Sequence, residues 1–596
     1  MTRLRRWLPG VLVLSSVILW LARPEPSDGH GLRLSAWESA TPAGEPAWTG
    51  ICRRLSISMD GNPASSREVD YALRFEGRLV ADTGGLYRFA TDSDDGSALY
   101  LDERQVVENG GVHVRARREG VVHLEPGEHR LRLEYRQTVG ESFLEVSWQP
   151  PGQNSFSPLP LSVLLPPESA TTPTGSGTLR ATLTAFSALL LAAGLTLLAR
   201  RACRAIRGRD RSQLISLARG WTTRPAFWDL AAIAICLPFY LHSVFSRLPF
   251  ESYMKGDSPY YALAALSLVR DGDLEMHDQT DRRIFENPWP GANIPMSHSN
   301  VAQGVGGAWY PKHPALMPVL SAPFYALGGG RGLLGFNFLA LLVMVAATRR
   351  LAARFAPEPV ATAAAAIIGL TPLFVHFSYS YSADIPAAAL VAAGFALLYG
   401  DRPLLSGVAF ALAIWLKPIN VLAPLAAGLS LLPARRFRDL LRLVIGGAIG
   451  ALPMAILHWH QFGSPWLSGY QRTLVVEGGH RAVASHLGGF TFPFWEGLRL
   501  QLFDLNHGLF ATAGAALLAP LGFFFFHRGA RAAGAAIGVF ALGTFLLYCN
   551  YDFVTGSHYG NRFLMPVIAT LSAPLALLLE RLSRRWSSSQ SLRRVA

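Results

Sequence analysis

Lysine is nearly absent from this chain. Of 54 Lys plus Arg residues, only Lys255, Lys312 and Lys417 are lysines. A lysine ammonium is a compact point charge suited to a phosphate, whereas arginine is a planar fork. All three lysines fall at expected outer ends of membrane segments. Charge of any kind is scarce. Charged residues are 16% of the 596 positions and hydrophobic ones 50%, which excludes a single water-soluble globule. Many apolar runs instead approach the roughly 20 residues that a bilayer-spanning helix needs. Cysteine is scarce too. Cys52, Cys203, Cys236 and Cys549 show no paired spacing, which excludes a disulfide framework or a CxxC metal site. The net charge of +13 invites comparison with nucleic-acid binders. The basic residues, however, cluster in short loops between apolar runs, where they set topology. Nucleic acid is not an expected partner.

The pattern predicts a mainly α-helical polytopic protein of about twelve spans with one exported all-β sandwich. MTRLRR before the apolar run Trp7 to Ala22 reads as a signal anchor with its N-terminus inside (residues 1–30). Residues 31–166 follow on the outer side. The stretch 167–226 holds a Pro/Ser/Thr/Gly-rich linker, the apolar run Leu179 to Ala199 and the basic inner loop RRACRAIRGRDR. Residues 227–582 form the helical core, with a polar outer loop at 246–330, and 583–596 are a basic inner tail. Pro314 to Leu327 carries Pro318 and Pro323 and is expected to lie at the surface rather than to span.

Residues 31–166 lack long apolar runs and alternate instead. YALRFEGRLVA, GLYRFATDS, SALYLDERQVV, GVVHLEPG, HRLRLEYRQ and SFLEVSWQP are separated by Gly-Gly, Asp-Asp-Gly and Pro-Gly signals. Such alternation gives strands with one buried face, and their number predicts a sandwich. GLYRFATDSDDGSALYLD (Gly85 to Asp102), VVENGGVH, LEPGEHRLRLEY and LEVSW resemble the protective-antigen-type domain, also called PA-fourteen. The resemblance implies carbohydrate binding, and makes Asp94 and Asp95 calcium candidates. Calcium takes six or more oxygens, and the same Asp94-Asp95-Gly96 also reads as a strand-joining turn.

The longest polar interval of the core is Tyr253 to Pro318. It opens on Lys255-Gly256-Asp257-Ser258-Pro259 and closes on Tyr310-Pro311-Lys312-His313-Pro314. An acid at a membrane boundary is a functional candidate; Asp257 also fits a helix N-cap. This pair of motifs resembles the C-type (GT-C) integral membrane glycosyltransferases. SADIPAA (Ser382 to Ala388), LKPIN (Leu416 to Asn420), FGSPWLSGY, LFDLNHGLF and GSHYGNRFLMPV (Gly556 to Val567) extend the resemblance in order. It runs over Phe227 to Leu579 and is narrowest with the protein O-mannosyltransferase and aminoarabinose-transferase branch.

That resemblance implies a polyprenyl-phosphate sugar donor and a glycan, lipid or protein acceptor at the outer face of a bacterial cytoplasmic membrane. Asp257 is implied as general base, its ionised form favoured by Lys255, and Asp384 as orienting a lysine or the acceptor. The leaving phosphate calls for cations: Lys312 first, Arg562 second, Lys417 third. His313, His558, Tyr310, Tyr261 and Tyr559 are substrate-contact candidates. Tyr260, Tyr261, Trp289, Trp309, Tyr310 and Trp466 read mostly as interfacial anchors. The scheme requires no metal, while a divalent cation on Asp257 and Asp384 stays open. The competing class is a transporter or lipid flippase with an outer carbohydrate-binding domain. It would place ionisable residues at mid-membrane, where these helices carry almost none.

Overall fold

The structure is a computed structural model that describes residues 30–52, 55, 69–139, 142–153, 155–167, 222–245, 257–276, 301–477, 480–485, 489–552 and 560–595. The expected anchor run Trp7 to Ala22, the run Leu179 to Ala199, Lys255, Trp289, His558 and Tyr559 lie outside the described residues.

The N-terminal part is the expected two-sheet sandwich. One sheet has the order β2-β1-β3-β8-β5-β6, with β11 paired to β3, and the other β10-β9-β4-β7. The strands are β1 Leu32–Trp37, β2 Trp48–Cys52, β3 Tyr71–Ala81, β4 Gly85–Asp94, β5 Gly96–Leu101 and β6 Arg104–Asn109. β7 Ala116–Leu124, β8 Gly127–Gln137, β9 Phe143–Gln149, β10 Ser157–Pro158 and β11 Leu164–Leu165 complete it. Alternation decides which face is buried. Tyr71, Leu73, Phe75 and Leu79 of β3 point inward, while Arg74, Glu76 and Arg78 line the outer face beside Arg132 and Glu134 of β8. The run SALYLDERQVV, expected as one strand, is a hairpin. Asp102 and Glu103 adopt φ of 47° and 63° and reverse the chain, as a tight two-residue hairpin turn demands.

The second part is a helical bundle. Its helices are α1 Pro225–Phe245, α2 Ser258–Arg270, α3 Leu316–Ala352, α4 Glu358–Gly369, α5 Pro372–Phe377, α6 Asp384–Leu398 and α7 Pro403–Leu416. They continue as α8 Leu422–Leu429, α9 Phe437–Phe462, α10 Phe494–Phe503, α11 Leu509–Thr512, α12 Arg531–Cys549, α13 Met565–Thr570 and α14 Ser572–Val595. Apolar side chains such as Leu441, Val444, Ile449, Leu452 and Ile456 stand exposed along α9. A row of that length suits a bilayer and not water.

Twelve spans are not found among the described residues. Four helices are long and apolar enough to cross a membrane, or up to five if the bent pair at 562–585 counts as one. The other apolar segments are helices of 10–17 residues, cut short by breaks such as Thr371-Pro372 and Lys417-Pro418, where the residue before proline leaves the helical region. The segment Pro314 to Leu327 also differs from expectation. It continues into the next apolar run as α3, bent at Gly328 and Gly329 rather than at a proline. Trp309 is buried, not an interfacial anchor, and so are Tyr260 and Tyr261.

Two loops that are distant in sequence meet in a third sheet of order β13-β12-β14-β15, made of β12 Val301–Gln303, β13 Trp309–Pro311, β14 Thr473–Glu477 and β15 His480–Ala484. Ala302 pairs with Thr473. The main chain of β13 is further tied to the segment after α2 by Met276 N–H donating to Trp309 O (2.7 Å) and Trp309 N–H to Glu275 Oε1 (2.7 Å). This sheet carries residues 312 and 313 to their places.

A buried ion cluster clamps α1, α3 and α4 together. Asp229 accepts from Arg349 Nε at 2.6 Å and from Arg350 Nη2 at 2.6 Å, and Arg349 also bonds Glu358. Arg349 is among the largest fully buried side chains. Removing one partner of such a pair leaves a buried charge uncompensated. Asp229→Ala is expected to lower stability by about 3–5 kcal/mol, read as a lower unfolding temperature in detergent, while Arg350→Ala, with a mostly exposed side chain, costs far less.

Candidate active site

Asp257 occupies the N-cap position of α2, but its side chain does not cap the helix. The following serine is drawn away as well, since Ser258 Oγ donates to Tyr381 O at 2.5 Å. Pro259 in the first turn needs no N–H partner, so the helix starts without a cap. The carboxylate is thereby left to face inward. Asp384 is the first residue of α6, is almost fully buried, and accepts from Ser382 Oγ at 2.7 Å.

Two cations join these carboxylates. Arg562 Nη2 donates to Asp257 Oδ2 at 3.0 Å, and its Nη1 lies 3.6 Å from Asp384 Oδ2. Lys417 Nζ lies 3.6 Å from Asp257 Oδ2 and 3.5 Å from Asp384 Oδ1. Each cation therefore touches both acids. Lys417 reaches this place because Pro418 forces it into extended backbone (φ −147°, ψ 108°) as it ends α7. Arg562 lies in a turn whose entry Asn561 secures, its Oδ1 accepting from Phe563 N–H at 3.2 Å and its Nδ2 donating to Gln501 at 2.7 Å. The Phe563 ring lies 5.7 Å from Lys417 Nζ and 5.3 Å from the Arg562 guanidinium carbon, an apolar wall that strengthens charge interactions beside it.

Lys417 and Arg562 are the cations that bridge the two acids. Lys312 is half-buried one residue from His313, and its charge bears on that imidazole. Spacing in sequence could not reveal this, because Lys417 arrives from a helix more than a hundred residues away.

His313 also faces Asp257, with Nε2 3.4 Å from Oδ1. Its Nδ1 lies 2.9 Å from the hydroxyl of Tyr470, a residue not singled out from sequence. Gly469 makes that approach feasible. A Cβ there would sit 2.4 Å from Lys312 O, so only glycine lets the second loop lie against the first. Burial pushes the His313 imidazole down to about 4 from its ordinary 6.5, against the opposing pull of Asp257, with Lys417, Lys312 and Arg562 lowering it further. The ring is neutral at pH 7. The consistent tautomer has Nε2–H toward Asp257 and Nδ1 accepting from Tyr470.

Tyr261 is fully buried 5.6 Å from the His313 ring. Its hydroxyl and the Nε–H of Arg562 are buried without a hydrogen-bond partner. Tyr310 packs on Phe462 instead, at 5.9 Å, and does not join the acids. Lys417 and Arg562 take the bridging positions between Asp257 and Asp384. The described residues hold no group of three His, Cys, Asp or Glu placed to bind a metal.

In the sandwich, Asp94 and Asp95 act as loop ties. Asp95 Oδ1 accepts from His113 N–H (3.0 Å) and Oδ2 from Thr138 N–H (2.8 Å) and Val139 N–H (3.2 Å), while Asp94 Oδ2 accepts from Arg115 N–H (3.0 Å).

His313 sets a pH dependence. The folded ring refuses a proton that the unfolded ring accepts below 6.5, so its contribution to stability is full above 6.5 and is lost as pH falls toward 4. The wild-type unfolding temperature in detergent should therefore drop across that window, and His313→Gln should flatten the drop.

Comparison with known proteins agrees with this division. Residues 58–161 match the PA14 domain, and residues 312–549 match Glycosyltransferase family 87, a C-type-like membrane glycosyltransferase family. The second match contains His313, Asp384, Lys417 and Tyr470, while Asp257 and Arg562 flank it. No curated protein matches the chain. Among solved structures, the PA14 domain of the MpAFP antifreeze protein is 14% identical, over 24% of this chain and 94% of its own, at a TM-score of 0.21. The PA14 sugar-binding domain from an RTX adhesin is 20% identical, over 22% and 94%, at 0.20. An anti-sigma factor domain-containing protein from Clostridium clariflavum is 21% identical, over 24% of this chain, at 0.22, and this chain spans 50% of it. The chain thus joins a PA14 domain to a helical membrane region that matches glycosyltransferase family 87.

Proposed function

We propose that this protein transfers a sugar from a polyprenyl-phosphate donor to an envelope glycan, lipid or protein on the outer face of the cytoplasmic membrane, with inversion. The observation that carries the reading is the buried quartet of Asp257, Asp384, Lys417 and Arg562, with the partnerless Tyr261 hydroxyl and Arg562 Nε–H beside it. Unsatisfied buried polar atoms next to a charge cluster are what an absent ligand would satisfy. The family-87 match supports the reaction class. The donor class rests on the resemblance of the Asp257 and Lys312 motifs to C-type transferases.

In this reading the acceptor hydroxyl gives its proton to Asp257 as its oxygen attacks the anomeric carbon. The bond from that carbon to the phosphate oxygen breaks, and the electron pair leaves with the lipid phosphate. A single displacement inverts the centre. Arg562 and Lys417 then face the growing phosphate charge in a site with little water, and Lys312 adds a third positive charge nearby. Asp384 holds Lys417 and Arg562 in place. His313, fixed by Tyr470, orients the Asp257 carboxylate.

Asp257→Asn should reduce transfer by about 10²–10⁴-fold, the usual worth of a general base. The check is mass analysis of envelope glycans from cells holding normal amounts of variant protein. Unchanged glycans would rule out the enzymatic reading. The PA14 domain is assigned to holding the glycan acceptor near the catalytic end, which raises its local concentration. Deleting residues 31–166 should then weaken acceptor use and spare donor hydrolysis; unaltered transfer to acceptor would refute that role.

A further inference from the structure

An apolar trough of about 450 Å³ lies among α7, α8 and α9. Each helix contributes one face at helical spacing: Gly407, Phe410 and Ile414 from α7, Leu425 and Leu429 from α8. From α9 come Val444, Gly447 and Met454. Helices α7 and α9 run side by side in the same direction, because Gly446 packs on Leu404 and, one turn on, Gly450 packs on Val408 and Ala411, with no room for a Cβ at either. One end of the trough is therefore marked by Ile414, Val421 and Met454. Ile414 and Val421 flank Lys417, which pairs with both acids of the site. The other end is at Leu432 and Leu440. Along α9, Leu440 to Met454 is about 21 Å at the helical rise, most of a hydrocarbon core of about 30 Å.

Gly447 is the informative position. A Cβ added there meets nothing within 4 Å, unlike one at Gly407 or Gly446. The glycines that let α7 and α9 touch are thus distinct from the one that leaves the trough open. The trough has almost no polar lining, and one end of it lies at Ile414 and Val421, on either side of Lys417 in the chain.

We infer that this trough seats the isoprenoid chain of the donor, with the phosphate held at the Lys417 end. The inference rests on the function proposed above and adds a place for the lipid. A long chain fills the trough from Lys417 to Leu432, whereas a short chain stays at the charged end. A side chain at position 447 then competes with the long chain alone.

The test uses the full-length protein in detergent and two probes, a long-chain polyprenyl phosphate and farnesyl phosphate, with binding read by native mass spectrometry. Gly447→Phe and, from the facing wall, Leu429→Trp are each expected to weaken the long-chain probe by about tenfold, the order expected when a few methylene contacts are lost. Farnesyl phosphate should bind as to the wild type, which also reports that the variants are folded. If the wild type binds both probes and neither variant shifts the ratio, the trough assignment is overturned and the donor class stands. Wild type that binds neither probe overturns both. Equal weakening of both probes by the two variants also overturns the trough assignment.

Discussion

Two carboxylates and two cations share one buried place, and the rest of the helical part is arranged to permit it. Taking four charged groups out of water is costly, and their mutual attraction only roughly repays the cost. A hydrophobic quartet of similar volume would hold the helices as well. Lys417 and Arg562 each contact both Asp257 and Asp384, so neither acid depends on a single partner. The arrangement sets both acids between cations where water is scarce, which is where cations can meet a leaving phosphate.

Every member of that cluster comes from a place where a helix starts or stops. Asp257 precedes α2, Asp384 opens α6, Lys417 ends α7, and Arg562 precedes α13. Helix ends are where side chains can be aimed without following the periodicity of a face. Proline does much of the aiming at Lys417, and at Asp257 it removes the need for a cap. The sheet that joins the two long loops then fixes His313 against Asp257 and brings Tyr470 behind it. A histidine in that position can orient a carboxylate while staying uncharged.

Much was legible in the chain itself. The sandwich strands β3, β4, β7, β8 and β9 follow the alternation of apolar and polar residues, because one face of each packs on the other sheet. Asp257 stood out as an acid at a membrane boundary and Lys417 as one of three lysines, while Asp384 and Arg562 were marked by the resemblance of their motifs. Two kinds of feature were not legible. Hairpins made by two residues at positive φ, such as Asp102-Glu103, carry no glycine signal. Apolar runs also do not state whether they span: α4 to α8 are cut by Thr371-Pro372, Lys417-Pro418 and similar breaks into helices too short to cross alone.

Which cations pair with the acids was decided elsewhere. The resemblance placed Lys312 first for the leaving phosphate. Lys417 and Asp257 come from the end of α7 and the start of α2, and close approaches such as those at Gly407 and Gly446 are information held by pairs of residues and not by any one stretch. Composition and periodicity thus determined the two parts and the scarcity of charge, and the motif resemblance pointed to the acids. Tertiary packing alone chose which bases meet them, supplied Tyr470, and opened the trough beside Lys417, because distances between helix ends follow from how helices touch and not from their spacing along the chain.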